Sequence, residues 1–200
     1  MQTYRTRLTQ RVAVVVVVAL VLAGCAGAPQ KNEERAGAHA VVNVPTGVRE
    51  EFDASIAAIQ DEKYKEGIKR LNKVVADAPD VAIPYIDLAI AHEKLGELKP
   101  AEDNLEHALK LEPDNPVANN ELGILYRKIG RFKEARQIYE KLLEKYPHYA
   151  MAHRNLGILC DIYLRDYDCA LNEYKAYSSA VPEDKNVKIW IADIQARIKQ

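Results

Sequence analysis

Prolines recur at Pro79, Pro113 and Pro147, 34 residues apart, and again at Pro182 after 35. A fixed period of this length marks a chain assembled from copies of one small unit stacked in line. Proline cannot continue a helix and pushes the residue before it toward extended backbone, so each of these four marks a helix end. A unit this short cannot bury an apolar face alone, and the copies must therefore pack on one another. Only 9 glycines, 9 prolines and 2 phenylalanines stand in 200 residues, against 11 tyrosines, a profile that suits stacked helices better than a turn-rich β-sandwich.

Around each proline the same side chains return. The fullest copy reads Leu122-Gly123, Tyr126, Ala135, Tyr139 and Pro147. A second runs Tyr85, Leu88-Ala89, His92, Ala101, Leu105, Pro113, and a third His153, Leu156-Gly157, Cys160, Ala170, Tyr174, Pro182. The first copy, Glu51, Ala54-Ser55, Ala58, Gly67, Leu71, Pro79, departs most, as end repeats often do. This pattern resembles the tetratricopeptide repeat, a helix-turn-helix unit. The resemblance covers residues 48 to 200 and implies an all-α, right-handed α-solenoid of four repeats, at 48–81, 82–115, 116–149 and 150–184. Small residues Ala89, Gly123 and Gly157 on first helices, and Ala101, Ala135 and Ala170 on second helices, are expected where the two backbones come closest. Large apolar residues Tyr64, Leu98, Phe132 and Tyr167 follow the turn inside each repeat, with Gly96 and Gly130 as helix C-caps before it.

From Lys185 to the end, Val187, Trp190, Ile191, Ile194 and Ile198 fall at helical spacing, which predicts a capping helix over 185–200 with an apolar inner face and a polar outer one. A membrane-surface helix is the rival reading, but Asp193 among Lys188, Arg197 and Lys199 gives no strong basic bias.

The N-terminus reads as an address. Arg5, Arg7 and Arg11 precede an unbroken apolar run from Val12 to Ala23, the order of an export signal. That run falls short of the roughly 20 residues a spanning helix needs. Leu22-Ala23-Gly24-Cys25 resembles the lipobox of bacterial lipoproteins. The resemblance implies cleavage of 1–24 and acylation of Cys25. With Ala26 rather than aspartate next, it also implies anchoring in the outer membrane, facing the periplasm. A retained anchor helix and a soluble exported protein with an incidental Cys25 are the alternatives. Residues 25–47 then form a tether, rich in Ala, Gly and small polar residues, that spans on the order of 25 Å as a flexible coil.

The full chain carries 28 basic and 29 acidic side chains, a net charge of -1, and loses three arginines and no acid with 1–24. No basic surplus remains for nucleic acid.

The repeat resemblance places function on the concave face, where first helices of such arrays bind extended or helical peptide segments. The position after the small residue is Ile56, Ile90, Ile124 and Ile158, the same side chain in all four copies. One turn earlier stand Phe52, Ile86, Asn120 and Arg154, with Ile83, Val117, Asp87, Glu121 and Arg127 completing the groove set and Asp53, Lys94 and Lys128 near it. A row of isoleucines left in water is costly unless it is a binding site. Three readings stay open: partner groove, core between neighbouring first helices, and a slot for the chain's own Ala40–Val44 segment. The carboxylate clamp of the chaperone-tail-binding subfamily does not fit, since Phe52, Ile56, Ile83 and Asp87 stand where it needs polar or basic groups.

Cys160 and Cys169 flank the turn of the 35-residue repeat, as a bridging disulfide or as two packed thiols. The five histidines show no HExxH pairing, His92-Glu93 reads as a groove-edge pair, no nucleophile elbow surrounds Ser178-Ser179, and no phosphate loop follows a strand. No enzyme, metal or cofactor is expected. The chain also resembles pilotin-like lipoproteins of type IV pilus assembly, and its closing stretch resembles tails of lipoproteins beside Ton/Tol-type envelope motors. These resemblances imply an outer-membrane-anchored scaffold holding a peptide segment of another envelope protein, in a pilus, secretion or energy-transducing machine. A docking regulator of a cell-wall enzyme and a homo-oligomer with mutually buried grooves are the alternatives.

Overall fold

The computed structural model describes residues 44–199. The expected export signal, Cys25, and the tether up to residue 43 lie outside the described residues. Nine helices follow: α1 (Thr46–Gln60), α2 (Tyr64–Asp77), α3 (Ala82–Lys94), α4 (Leu98–Leu111), α5 (Pro116–Lys128), α6 (Phe132–Lys145), α7 (Ala150–Ile158), α8 (Tyr167–Ala180) and α9 (Lys185–Ile198), with a π-helical segment at Leu159–Leu164 extending α7. No strand occurs among the described residues. α1 starts at Thr46, two residues before the expected repeat boundary.

The periodic prolines do what their chemistry demands. Ala78, Glu112, Tyr146 and Val181, each just before one of them, have φ between -139° and -125° with ψ between 68° and 83°. That is the extended backbone the proline ring imposes on its neighbour, and it ends α2, α4, α6 and α8.

The turn inside each repeat is a Schellman closure. After α3, Glu97 N–H donates to His92 O (2.9 Å) and Gly96 N–H to Glu93 O (3.0 Å); after α5, Arg131 N–H donates to Tyr126 O (2.8 Å). The closure needs a left-handed residue, and Gly96 (φ 78°) and Gly130 (φ 82°) supply it. The outer repeats use L-residues there instead, Glu62 (φ 60°) and Arg165 (φ 54°), which costs roughly 1–2 kcal/mol each.

The fourth repeat's extra residue enters the hydrogen-bond ladder. Its closure runs from Asp166 N–H to Cys160 O (2.9 Å), one residue longer than elsewhere, through the π-helical segment. A π turn is how a helix takes up a single insertion. A disulfide joins Cys160 to Cys169 across this turn, Cα to Cα 5.9 Å.

In the third and fourth repeats the small residue of the first helix serves a different contact from the one expected. A Cβ on Gly123 would lie 2.5 Å from Tyr139 Cε1, and one on Gly157 2.6 Å from Tyr174 Cδ1. The glycines make room for tyrosine rings of the second helix, not for the opposing Ala135 and Ala170. In the second repeat Ala89 takes the glycine's place and Leu105 the tyrosine's, both buried, so the summed volume at the contact is roughly conserved. In the first repeat the glycine has moved to α2, where a Cβ on Gly67 would meet Ile59 Cγ1 at 2.6 Å.

One apolar core runs from Ala82 to Ile194, through Leu105, Leu125, Tyr139, Leu159 and Tyr174. Phe52, Leu71 and Val74 form a smaller cluster joined to Leu88. Each first helix touches the next first helix, α1 to α3, α3 to α5 and α5 to α7, while no pair of second helices approaches as closely. The first helices therefore line the inside of the curve.

Gly123→Ala forces its methyl into the Tyr139 ring and is expected to cost roughly 1–3 kcal/mol in urea denaturation. Adding Tyr139→Leu, which recreates the Ala89–Leu105 pairing, is expected to recover part of that loss; a double variant weaker than the sum of the singles would disprove the volume argument. Arg165→Gly and Glu62→Gly relieve left-handed strain and should each raise stability by about 1 kcal/mol.

Candidate peptide-docking groove

The inner surface of α1, α3, α5 and α7 carries the candidate site. Ile56, Ile90, Ile124 and Ile158 are all half-buried, so the row is neither sealed core nor fully in water. Ile83, Val117 and Met151 continue it toward the N-terminal ends of their helices, also half-buried.

The row one turn earlier departs from expectation. Phe52 is 1% exposed, Ile86 3% and Asn120 3%. These side chains enter the gap between consecutive first helices, where the following repeat covers them. Asn155 Nδ2 donates to Asn120 Oδ1 (2.9 Å) across that gap. Asp87, expected in the groove, is buried as well, so Phe52, Ile86, Asp87 and Asn120 are structural rather than surface residues of the groove. Only Arg154 in that row is half-exposed, its guanidinium 5.7 Å from the Trp190 ring of α9.

Successive first helices are also joined by charge. Lys128 Nζ of α5 bonds Glu93 Oε1 of α3 (3.0 Å), so the expected His92-Glu93 pair is split between different partners: His92 Nδ1 meets Glu97 Oε2 at 2.6 Å. Arg127 stands 5.7 Å over the Tyr163 ring, and Tyr163 packs on Phe132 with ring centroids 4.8 Å apart. Beneath this floor the Tyr139 hydroxyl and Arg127 Nε are buried with no hydrogen-bond partner. Burial drives the Tyr139 hydroxyl pKa well up, with the nearby Arg127 charge opposing. Arg127 and Arg154 thus bring guanidinium groups to the floor over α5 and α7, beside the aliphatic row that runs through all four first helices.

The C-terminal end of the groove is braced by α8 and α9. His153 Nδ1 lies 2.6 Å from Glu173 Oε2, and His153 Nε2 2.9 Å from Pro147 O. The bond to Glu173 raises the His153 pKa, with burial opposing. Tyr177 Oη donates to Asp184 Oδ2 (2.9 Å), and burial together with this bond pushes the Tyr177 pKa up to about 12. Asp184 in turn caps α9, accepting from Asn186 N–H at 3.0 Å. Ile198, expected on the inner face of α9, is 44% exposed, while Val187 and Ile194 are fully buried.

Cys160, Asp166 and Cys169 are the one grouping of metal-ligand side chains among the described residues. The two sulfurs are bonded to each other, and Asp166 caps α8 while pairing with Arg136 at 2.9 Å. The group presents no free donor set. No helix among the described residues is long and apolar enough to cross a membrane.

Residues 101–156 match a family model described as tetratricopeptide repeat, and 83–115 match a second model of that description. No curated protein matches the sequence. Among solved structures the fold is similar to MamA residues 41 to the end from Desulfovibrio magneticus, with TM-score 0.67 at 19% identity over 78% of this chain and 87% of that one. It is similar to Pseudomonas aeruginosa PilF, with TM-score 0.68 at 17% identity over 86% and 72%. A thermophilic tetratricopeptide protein of Thermus thermophilus, TTC0263, gives 0.63 at 18% over 71% and 78%. The chain has the fold of a tetratricopeptide-type α-solenoid, and residues 83–156 are the part that matches the repeat models.

A group whose pKa is raised on folding stabilises the fold fully below its unfolded value, about 6.5 for histidine, and loses that contribution as pH rises through the folded value. The melting temperature should therefore fall as pH rises above about 6.5. Glu173→Gln should flatten that slope; an unchanged slope would show that His153 is not its source.

Proposed function

We propose that the protein holds a peptide segment of another envelope protein in its concave groove, as a non-catalytic scaffold lipid-anchored through Cys25 in the bacterial outer membrane and facing the periplasm. The observation that carries the docking reading is the row Ile56, Ile90, Ile124 and Ile158, repeated in every unit and half-exposed on the inner surface. Burying such side chains is worth up to roughly 1.5–3 kcal/mol each, so a segment laid along the row gains from every repeat. The apolar half over α1 and α3 suits the segment's aliphatic side chains. Arg127 and Arg154 suit an acidic group toward its other end, with rim charges setting orientation more than affinity.

The anchoring reading is supported by the Leu22-Ala23-Gly24-Cys25 stretch behind a basic and then apolar leader. Two or more acyl chains on one residue hold a protein stably at a bilayer, at about 0.8 kcal/mol per buried CH₂. A scaffold so placed supports assembly or positioning of an envelope machine of the pilus, secretion or energy-transducing kind. The Cys160–Cys169 disulfide is consistent with an oxidising compartment.

A photo-reactive residue at Ile124 of the full-length protein, expressed in its native host, is expected to crosslink a defined envelope protein. Ile90→Asp should reduce that yield about tenfold while leaving the circular dichroism spectrum intact. A folded Ile90→Asp protein with undiminished crosslinking would remove the groove reading. Mass spectrometry of the mature N-terminus tests the anchor separately: diacylglyceryl on Cys25 supports it, and an unmodified thiol there defeats it.

A further inference from the structure

Three contacts at matching places of the repeat tie successive helices together along the inner surface. Glu93 Oε1 of α3 accepts from Lys128 Nζ of α5 (3.0 Å). Asp161 Oδ1, in the π-helical extension of α7, accepts from Arg197 Nη1 of α9 (3.2 Å). Between these two rungs, Arg127 of α5 stands where Glu93 and Asp161 stand in the flanking repeats, and across from it lies the Tyr163 ring at 5.7 Å. The outer rungs join an acid to a base. The middle rung has a base and no acid.

The fourth repeat contains what the third lacks. There the Asp161 carboxylate bridges two donors: Tyr174 Oη donates to its Oδ2 (3.3 Å) and the Arg197 guanidinium to its Oδ1. Tyr139 is the counterpart of Tyr174, each ring lying over the glycine of its own repeat. The Tyr139 hydroxyl and Arg127 Nε are both buried, and neither has a hydrogen-bond partner. A guanidinium offers five N–H donors and no acceptor, so even where Arg127 donates to Tyr139 Oη the phenolic proton still needs an acceptor. Glu121, the acid of α5 whose charge acts on Tyr139, accepts from Asn120 Nδ2 (3.3 Å), and Arg127 forms no ion pair among the described residues. Buried polar groups left in this state are rare in folded chains and call for an acceptor from outside.

The two donors lie close to the surface. Arg127 is half-buried, and Tyr163, the ring over its guanidinium, is 42% exposed. Ile124 of the aliphatic row precedes Arg127 by three residues on α5, a spacing that makes the two side chains neighbours on one helix face.

We infer that Arg127 and the Tyr139 hydroxyl form a subsite for a carboxylate, and that its occupant is an aspartate or glutamate side chain of the peptide segment docked beside Ile124. The source of the carboxylate rests on the groove reading. Its chemistry does not, because it follows from the two unpartnered donors and from the Asp161 bridge that the chain builds one repeat later. The incoming group takes the place that Asp161 fills there: one oxygen accepts from the phenol and the other from the guanidinium, and the Tyr163 ring gives way to admit it. Hydrogen bonds between a guanidinium and a carboxylate are charge-assisted and directional, so they fix position as well as adding affinity. A docked segment is thereby held in register, with its acid next to the aliphatic side chain laid on Ile124. Arg127 is then a specificity-determining residue, since an amide in place of the acid leaves the guanidinium without its counter-charge.

The probe is acetyl-Leu-Glu-Leu-amide, with acetyl-Leu-Gln-Leu-amide as control. The readout is the Nε–Hε NMR signal of Arg127 in the full chain, assigned by its loss in Arg127→Gln. The glutamate peptide is expected to shift that signal saturably with a midpoint below about 10 mM, and the glutamine peptide to bind at least about tenfold more weakly. Tyr139→Phe keeps the ring over Gly123 and should weaken the glutamate peptide about threefold or more, with the melting temperature unchanged or raised. Tyr163→Glu places an acid on the middle rung within the chain itself, and should raise the melting temperature and abolish the response. Equal responses to the two peptides, or none to either, overturn the inference. So does a fall in melting temperature in Tyr139→Phe, which would mean that the hydroxyl already has an acceptor, such as a trapped water, in the free chain. The Ile124 crosslink decides the groove separately. Capture undiminished by Arg127→Gln removes the acidic anchor and keeps the groove, whereas no capture by the unchanged protein removes the groove and, with it, a docked segment as the source of the carboxylate.

Discussion

The structure depends on one contact repeated along the chain, a small residue on a first helix beneath a large side chain from the second. Gly123 under Tyr139 and Gly157 under Tyr174 leave no room for even a methyl group. This contact sets how closely the two helices of a repeat approach, and through that the angle at which the next first helix arrives. The inner surface, where the first helices meet one another, inherits its shape from it. A groove made this way is rigid at its base, because its lining residues sit on helices locked from behind by buried rings.

The same contact explains why so much of the fold was legible. Leu122-Gly123, Tyr139 and Pro147 recur because packing tolerates few alternatives at those places, and each leaves a mark in the residue type. The left-handed closures at Gly96 and Gly130 were equally readable. Those at Glu62 and Arg165 were not, because position rather than residue type identifies them. The groove was only half legible. Phe52, Ile86, Asn120 and Ile56, Ile90, Ile124 lie one turn apart on the same helices and differ little in character. Which row is covered depends on how near the following helix comes, a tertiary distance that no single unit encodes. Ile198 differs for the opposite reason: an apolar residue on a terminal helix reads as core until the burial of its neighbours shows which face is turned inward.

Some charges of the inner surface are already engaged by neighbouring elements. Lys128 pairs with Glu93 across repeats, and Arg154 lies near the Trp190 ring. A pair of this kind holds two first helices in one register beside the half-buried aliphatic row.

The π-helical segment carries a consequence for how such arrays vary. An additional residue placed in an ordinary α-helix would rotate everything after it by about 100° around the axis and turn buried faces outward. Here the wider turn swallows the surplus before Arg165, and Ala170, Tyr174, Val187 and Ile194 still point inward. The solenoid can thus gain length at one corner without losing phase, and Ile162, pushed into solvent at that corner, is free to diverge without cost to the packing downstream.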